Sequence, residues 1–148
     1  VAAIGVAAHE CGHAVQHQKG YLPLKLRSLL VPAANLGSKL GLPIVILGLI
    51  LGIDFRLPNG DYFSLAMLGV WIFSLAVLFQ IVTLPVEFNA SRRALSMLRD
   101  YGMLSSDEIG DCRNVLTAAA LTYVAAAASS ILQLLRLLML SNRRRDRD

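Results

Sequence analysis

The sequence predicts an all-α, helical integral membrane protein with two to three transmembrane helices, and three observations lead there. Of its 148 residues, 55% are hydrophobic, and the mean hydropathy of +0.58 stands well above that of soluble domains. The stretch Tyr62 to Leu84 carries no charged residue and is long enough to cross a bilayer with some tilt. Strand-like alternation of any length is missing, as are internal repeats and low-complexity linkers.

Taken in order, Val1 to Gln18 is Ala-rich and free of proline, with Gly20 placed as a C-cap, so residues 1–18 read as one helix. From Tyr21 to Lys39 the apolar residues are interrupted by Pro23, Lys25, Arg27 and Pro32, which suggests a membrane-surface linker. Leu42 to Ile53 is uncharged but short, so a span there must start near Leu36. The sequence Asp54 to Asp61 has Pro and Asn-Gly turn chemistry and closes a transmembrane hairpin over residues 36–84. Pro85 marks a helix start or a kink, and 85–101 reads as a water-facing amphipathic helix ending near Gly102. Ser105 and Glu108 have capping-box spacing for an apolar helix over 106–140. Its small residues would let helices pack closely in lipid. Residues 141–148 form a basic tail. All of this reads as a single domain fragment, because residue 1 is Val and a catalytic-looking motif begins soon after it.

Charge narrows the partners. The net charge is +4, and the basic residues sit in loops and in the tail (Arg143, Arg144, Arg145, Arg147) rather than in a stripe interleaved with aromatics. Nucleic acid is thereby excluded as an expected partner, and membrane lipid is favoured. Two cysteines, Cys11 and Cys112, are too few and too far apart for a disulfide-stapled domain.

The chemistry lies in His9-Glu10-Cys11-Gly12-His13, an H-E-x-x-H motif on a predicted helix. Residues i and i+4 share a helix face, so both imidazoles can bind one Zn²⁺ while Glu10 reaches the water that the metal acidifies. Zinc brings the pKa of that water to ~7 and polarises a carbonyl, so peptide hydrolysis is the reaction class. Cys11 points about 200° away from His9 around the helix. His17 lies ~12 Å from His9 along the axis, too far to share the ion, and the longer motif with a third histidine is missing because Gln16 and Lys19 occupy its positions. The third ligand is expected from Glu87, in the first turn after Pro85, because the 36–84 hairpin returns the chain to the side that holds His9 and His13. A carboxylate near a helix N-terminus is the plain alternative. Asn89 and Ser91 are placed to hydrogen-bond the ligands.

With H-E-C-G-H at His9, Q-H-Q-K-G-Y-L-P-L-K-L-R-S from Gln16 and P-V-E-F-N-A-S-R-R-A from Pro85, the chain resembles the bacterial neutral zinc metallopeptidases of the membrane over essentially its whole length. That family is similar in motif logic to the CAAX prenyl protease and heat-shock protease families. The resemblance implies a zincin-like active-site helix, zinc as cofactor, His9, His13 and Glu87 as ligands, Glu10 as catalytic base and a peptide or protein substrate. It also implies a further N-terminal membrane anchor. Those related proteases carry Asp four residues after the ligand Glu, where this chain has Ser91.

Two other readings compete. A site-2-type intramembrane protease would draw an Asp ligand from a motif like Pro58-Asn59-Gly60-Asp61, but that tetrapeptide reads as a polar turn at the far end of the hairpin. A non-catalytic zinc scaffold would need a closed site of four protein ligands, and only three are evident. Lys19, Lys25, Arg27, Arg92, Arg93, Arg99 and Arg113 place the catalytic side in the cytoplasm, at a bacterial inner membrane, by the positive-inside rule. Three spans would then put the Arg-rich tail outside, so either the last helix does not fully cross or the short tail breaks the rule. Substrate specificity and oligomeric state are not legible.

Overall fold

The computed structural model describes residues 1–147, with side chains described for 1–143. The described residues form four helices and one short hairpin: α1 (Ala2–Gln18), α2 (Leu22–Leu51), β1 (Asp54–Arg56), β2 (Tyr62–Ser64), α3 (Leu65–Asp100) and α4 (Ser106–Arg147). The expected helical membrane class is the observed one: α2, α3 and α4 are each long and apolar enough to cross a membrane.

Local signals explain the helix ends. Past Gln18, Gly20 adopts φ 65°, and the amides of Gly20 and Tyr21 bond the carbonyls of His17 and Gln16 at 3.2 and 2.9 Å, the glycine-terminated pattern that satisfies the last carbonyls of a helix. α3 stops the same way at Gly102, where Met103 N bonds Leu98 O at 3.1 Å. At the start of α4 the Glu108 carboxylate accepts from Ser105 N at 2.9 Å, and Glu108 N donates to Ser105 Oγ at 3.4 Å. The anticipated capping box is therefore built.

Proline accounts for most of the differences from expectation. α2 begins at Leu22 rather than near Leu36, so the stretch read as a surface linker is helix, with Pro32 and Pro43 inside it. Pro85 likewise lies inside the continuous α3 rather than at a helix start. Each proline lacks the N–H that would bond the carbonyl four residues back, a loss that long apolar helices tolerate. α4 continues through the region read as a tail, although the side chains of Arg144, Arg145 and Arg147 lie outside the described residues. The polar turn does close a hairpin, but with an antiparallel ladder pairing Phe55 with Phe63, three residues on each strand. That is too short for alternation to be read in sequence.

The chain divides into two compact units. One comprises residues 1–28 and 81–126, and its core is Ala8, Ala94, Leu98, Ile109, Cys112 and Leu116. Gly12, inside the H-E-x-x-H motif, is the contact that matters most for the site: a Cβ there would collide with the Ala90 carbonyl. Only glycine lets α1 lie this closely on α3. The other unit, residues 29–80 and 127 onward, centres on Val45, Val70 and Leu137. Gly37, Gly41 and Gly48 of α2 approach Ile72, Phe73 and Ala66 of α3 there, the small-residue packing used between helices in lipid. Leu29, Ile50, Trp71 and Leu132 remain largely exposed, as lipid-facing side chains would be.

Candidate metal centre

Helical periodicity sets His9 and His13 side by side, with ring centroids 4.7 Å apart and planes at 90°. Because Gly12 brings α1 against Ala90, the two rings face the segment of α3 that carries Glu87. Glu87 Oε2 lies 2.8 Å from His9 Nε2 and 3.5 Å from His13 Nε2. One donor atom from each of the three residues falls within 4.8 Å of the others. The carboxylate is nearly enclosed, its side chain 4% exposed.

An enclosed carboxylate requires compensation. Besides the imidazoles, Arg27 Nη1 donates to Glu87 Oε1 at 3.1 Å, so one oxygen is held by the guanidinium and the other faces the histidines. Arg27, which the sequence offered only as a topological charge, is thus part of the site.

Each ring is also held from behind. Ser91 Oγ sits 3.0 Å from His9 Nδ1. A hydroxyl donates or accepts, so Ser91 fixes the direction of His9 and leaves its tautomer open. His13 is more constrained. Its Nδ1 is 2.9 Å from Gln16 Oε1, and the Gln16 amide cannot turn, because its Nε2 donates to the Val86 carbonyl at 2.8 Å and to Asn89 Oδ1 at 3.0 Å. A carbonyl only accepts, so Oε1 must face His13 and accept from it. Nδ1 therefore carries a proton, and in the neutral ring this leaves the Nε2 lone pair directed at the site.

Gln16 is fully buried. In the sequence it stands only at a position of the longer motif that this chain lacks. Asn89, expected beside a ligand, stands one step back, its Oδ1 also accepting from Arg93 Nε at 2.8 Å.

The remaining candidates stay outside the cluster. Glu10 is exposed beside His9 and makes no hydrogen bond or ion pair among the described residues. His17 and Cys11 are exposed on other faces of α1. Asp61 belongs to the other unit, at the hairpin turn, where its carboxylate accepts from Asn59 Nδ2 at 2.9 Å.

No solved structure matches the chain. A curated relative, "Putative membrane protease YugP" of Bacillus subtilis (strain 168), is 43% identical over 146 residues, 99% of this chain and 61% of the relative. The chain thus spans about three fifths of that protein's length. Residues 1–142 match the family described as "Putative neutral zinc metallopeptidase", and the chain belongs to that family.

Proposed function

We propose that the chain carries the catalytic centre of a zinc-dependent membrane endopeptidase, with His9, His13 and Glu87 holding the metal and Glu10 acting as general base. The observation that carries this reading is the convergence of two imidazole Nε2 atoms and one carboxylate oxygen. Ligand atoms on a tetrahedral zinc at ~2.0–2.1 Å stand about 3.3 Å apart, and the separations of 2.8 and 3.5 Å bracket that value. Two histidines and a carboxylate are also a common donor set for zinc centres that keep one position open for chemistry. Zinc held there supplies Lewis acidity, acidifying water to a pKa of about 7 and polarising a carbonyl.

The chain's own groups have distinct tasks. Glu10, exposed and unpaired among the described residues, takes the proton from the attacking water and returns it to the departing amine. Gln16 and Ser91 keep the imidazole Nε2 atoms facing inward. Arg27 occupies Glu87 Oε1 and so presents Oε2 to the histidines. The substrate is a peptide or protein. The basic residues flanking the site favour the cytoplasmic face of a bacterial inner membrane.

The test is proteolysis by the intact, membrane-purified protein on an unfolded protein substrate. Chelation should abolish cleavage and one equivalent of zinc should restore it. Cleavage that persists through exhaustive chelation would reject the assignment, and full zinc occupancy with no cleavage of any substrate would favour a scaffold.

A further inference from the structure

A groove of about 580 Å³ lies between α3 and α4 within the unit that holds the donor cluster. Its lining includes Phe88, Arg92, Arg99, Arg113, Leu116 and Leu121, and no acidic side chain. Among the described residues none of the three arginines has an ion-pair partner. Three uncompensated guanidinium groups beside one cavity define an electropositive site for an anion.

The groove is also graded along its length. Residues 101–105 return the chain from α3 to α4. At 1.5 Å per residue, Arg99, Arg113 and Arg92 fall within about 13 Å of that connection, whereas Phe88 and Leu121 lie roughly 20 Å from it. On α4 the charge-free run Val115 to Leu135 lines the groove and extends past Leu121, and on α3 the charge-free run Leu65 to Leu84 lies past Phe88 and Glu87. One end of the groove is therefore cationic, and the other continues into the apolar stretches that suit α3 and α4 to a bilayer.

We propose that this groove holds an anionic phospholipid, its phosphate on Arg99 and Arg113 and its acyl chains directed past Phe88 and Leu121. A phospholipid matches both features at once, a charged head and an apolar tail in fixed order. An acidic peptide would use the arginines but gain nothing from the gradient. The inference does not depend on the proposed zinc chemistry.

Native mass spectrometry of the intact protein, purified in detergent and titrated with phosphatidylglycerol or phosphatidylcholine, tests it. Phosphatidylglycerol should be retained preferentially, and affinity should fall about fivefold for each arginine removed, hence roughly 25-fold in R99Q/R113Q. The Arg56→Gln variant, altered in the hairpin of the other unit, should retain the lipid as wild type does. R99K/R113K, which keeps the charge, should hold it within a few-fold. Equal retention of the two lipids, or retention unchanged in R99Q/R113Q, would overturn the proposal. So would displacement of phosphatidylglycerol by hexaglutamate at lower concentration than by free phosphatidylglycerol, which would assign the groove to acidic polypeptide.

Discussion

The two units solve the same packing problem with the same residue and obtain different results. In one, Gly12 brings α1 onto the Ala90 carbonyl of α3; in the other, Gly41 brings α2 onto Phe73 of α3. Around Gly41 the neighbours are apolar, and close approach yields dispersion contacts and a core of Val45, Val70 and Leu137. Around Gly12 the neighbours are His9, His13 and Gln16 on one helix and Glu87, Asn89 and Ser91 on the other, and the same approach yields a hydrogen-bonded polar cluster. Close backbone contact is thus a neutral device, and the flanking side chains decide whether it builds a span or a site.

The sharpest division between the units comes from their acids. Glu10→Gln should lower proteolysis by about 10²–10⁴-fold with zinc retained, whereas Asp61→Asn in the other unit should leave both zinc content and turnover unchanged. A large loss in Asp61→Asn would erase the contrast and revive a ligand role for the hairpin turn.

The glycines themselves come next. Gly12→Ala should expel zinc, because the added methyl meets a backbone carbonyl that cannot swing aside. Gly41→Ala, with its Cβ 2.8 Å from the Phe73 Cβ, should cost about 1–3 kcal/mol of stability and keep the metal. Zinc analysis alongside thermal unfolding reads both variants.

Gln16→Leu should weaken zinc binding about 10–100-fold by freeing the tautomer of His13, and Gln16→Glu, which keeps an acceptor for Nδ1–H, should recover part of it. Competition with a chromogenic chelator reads the affinity. A smaller effect than that of Ser91→Ala would show that the buried amide does not set the ring. At the low end, Ser105→Ala removes the cap of α4 and should cost about 1 kcal/mol of helix stability by thermal unfolding, with zinc content untouched.

What could be read from the sequence follows from how local each signal is. The H-E-x-x-H spacing, the Gly20 and Gly102 helix ends and the Ser105 capping box depend on neighbours within one or two turns, and all appear where expected. Glu87 was reachable as a neighbour of His9 and His13, which it is, because a hairpin is expected to return the chain to its starting side; its role as a ligand is the proposal. Gln16 and Arg27 were not, because their partners lie 70 and 60 residues away and neither belongs to a spacing rule. Pro32 and Pro85 point in the opposite direction: Pro32 reads as an interruption and Pro85 as a helix start or a kink, and the long apolar helices continue through both.

The central claim is that His9, His13 and Glu87 together hold one zinc ion. Zinc content per chain, measured on purified wild type, His13→Ala and Glu87→Ala, tests it most directly. About one equivalent in wild type and none in either variant is the expected result; retention of zinc in Glu87→Ala would remove the third ligand and contradict the account.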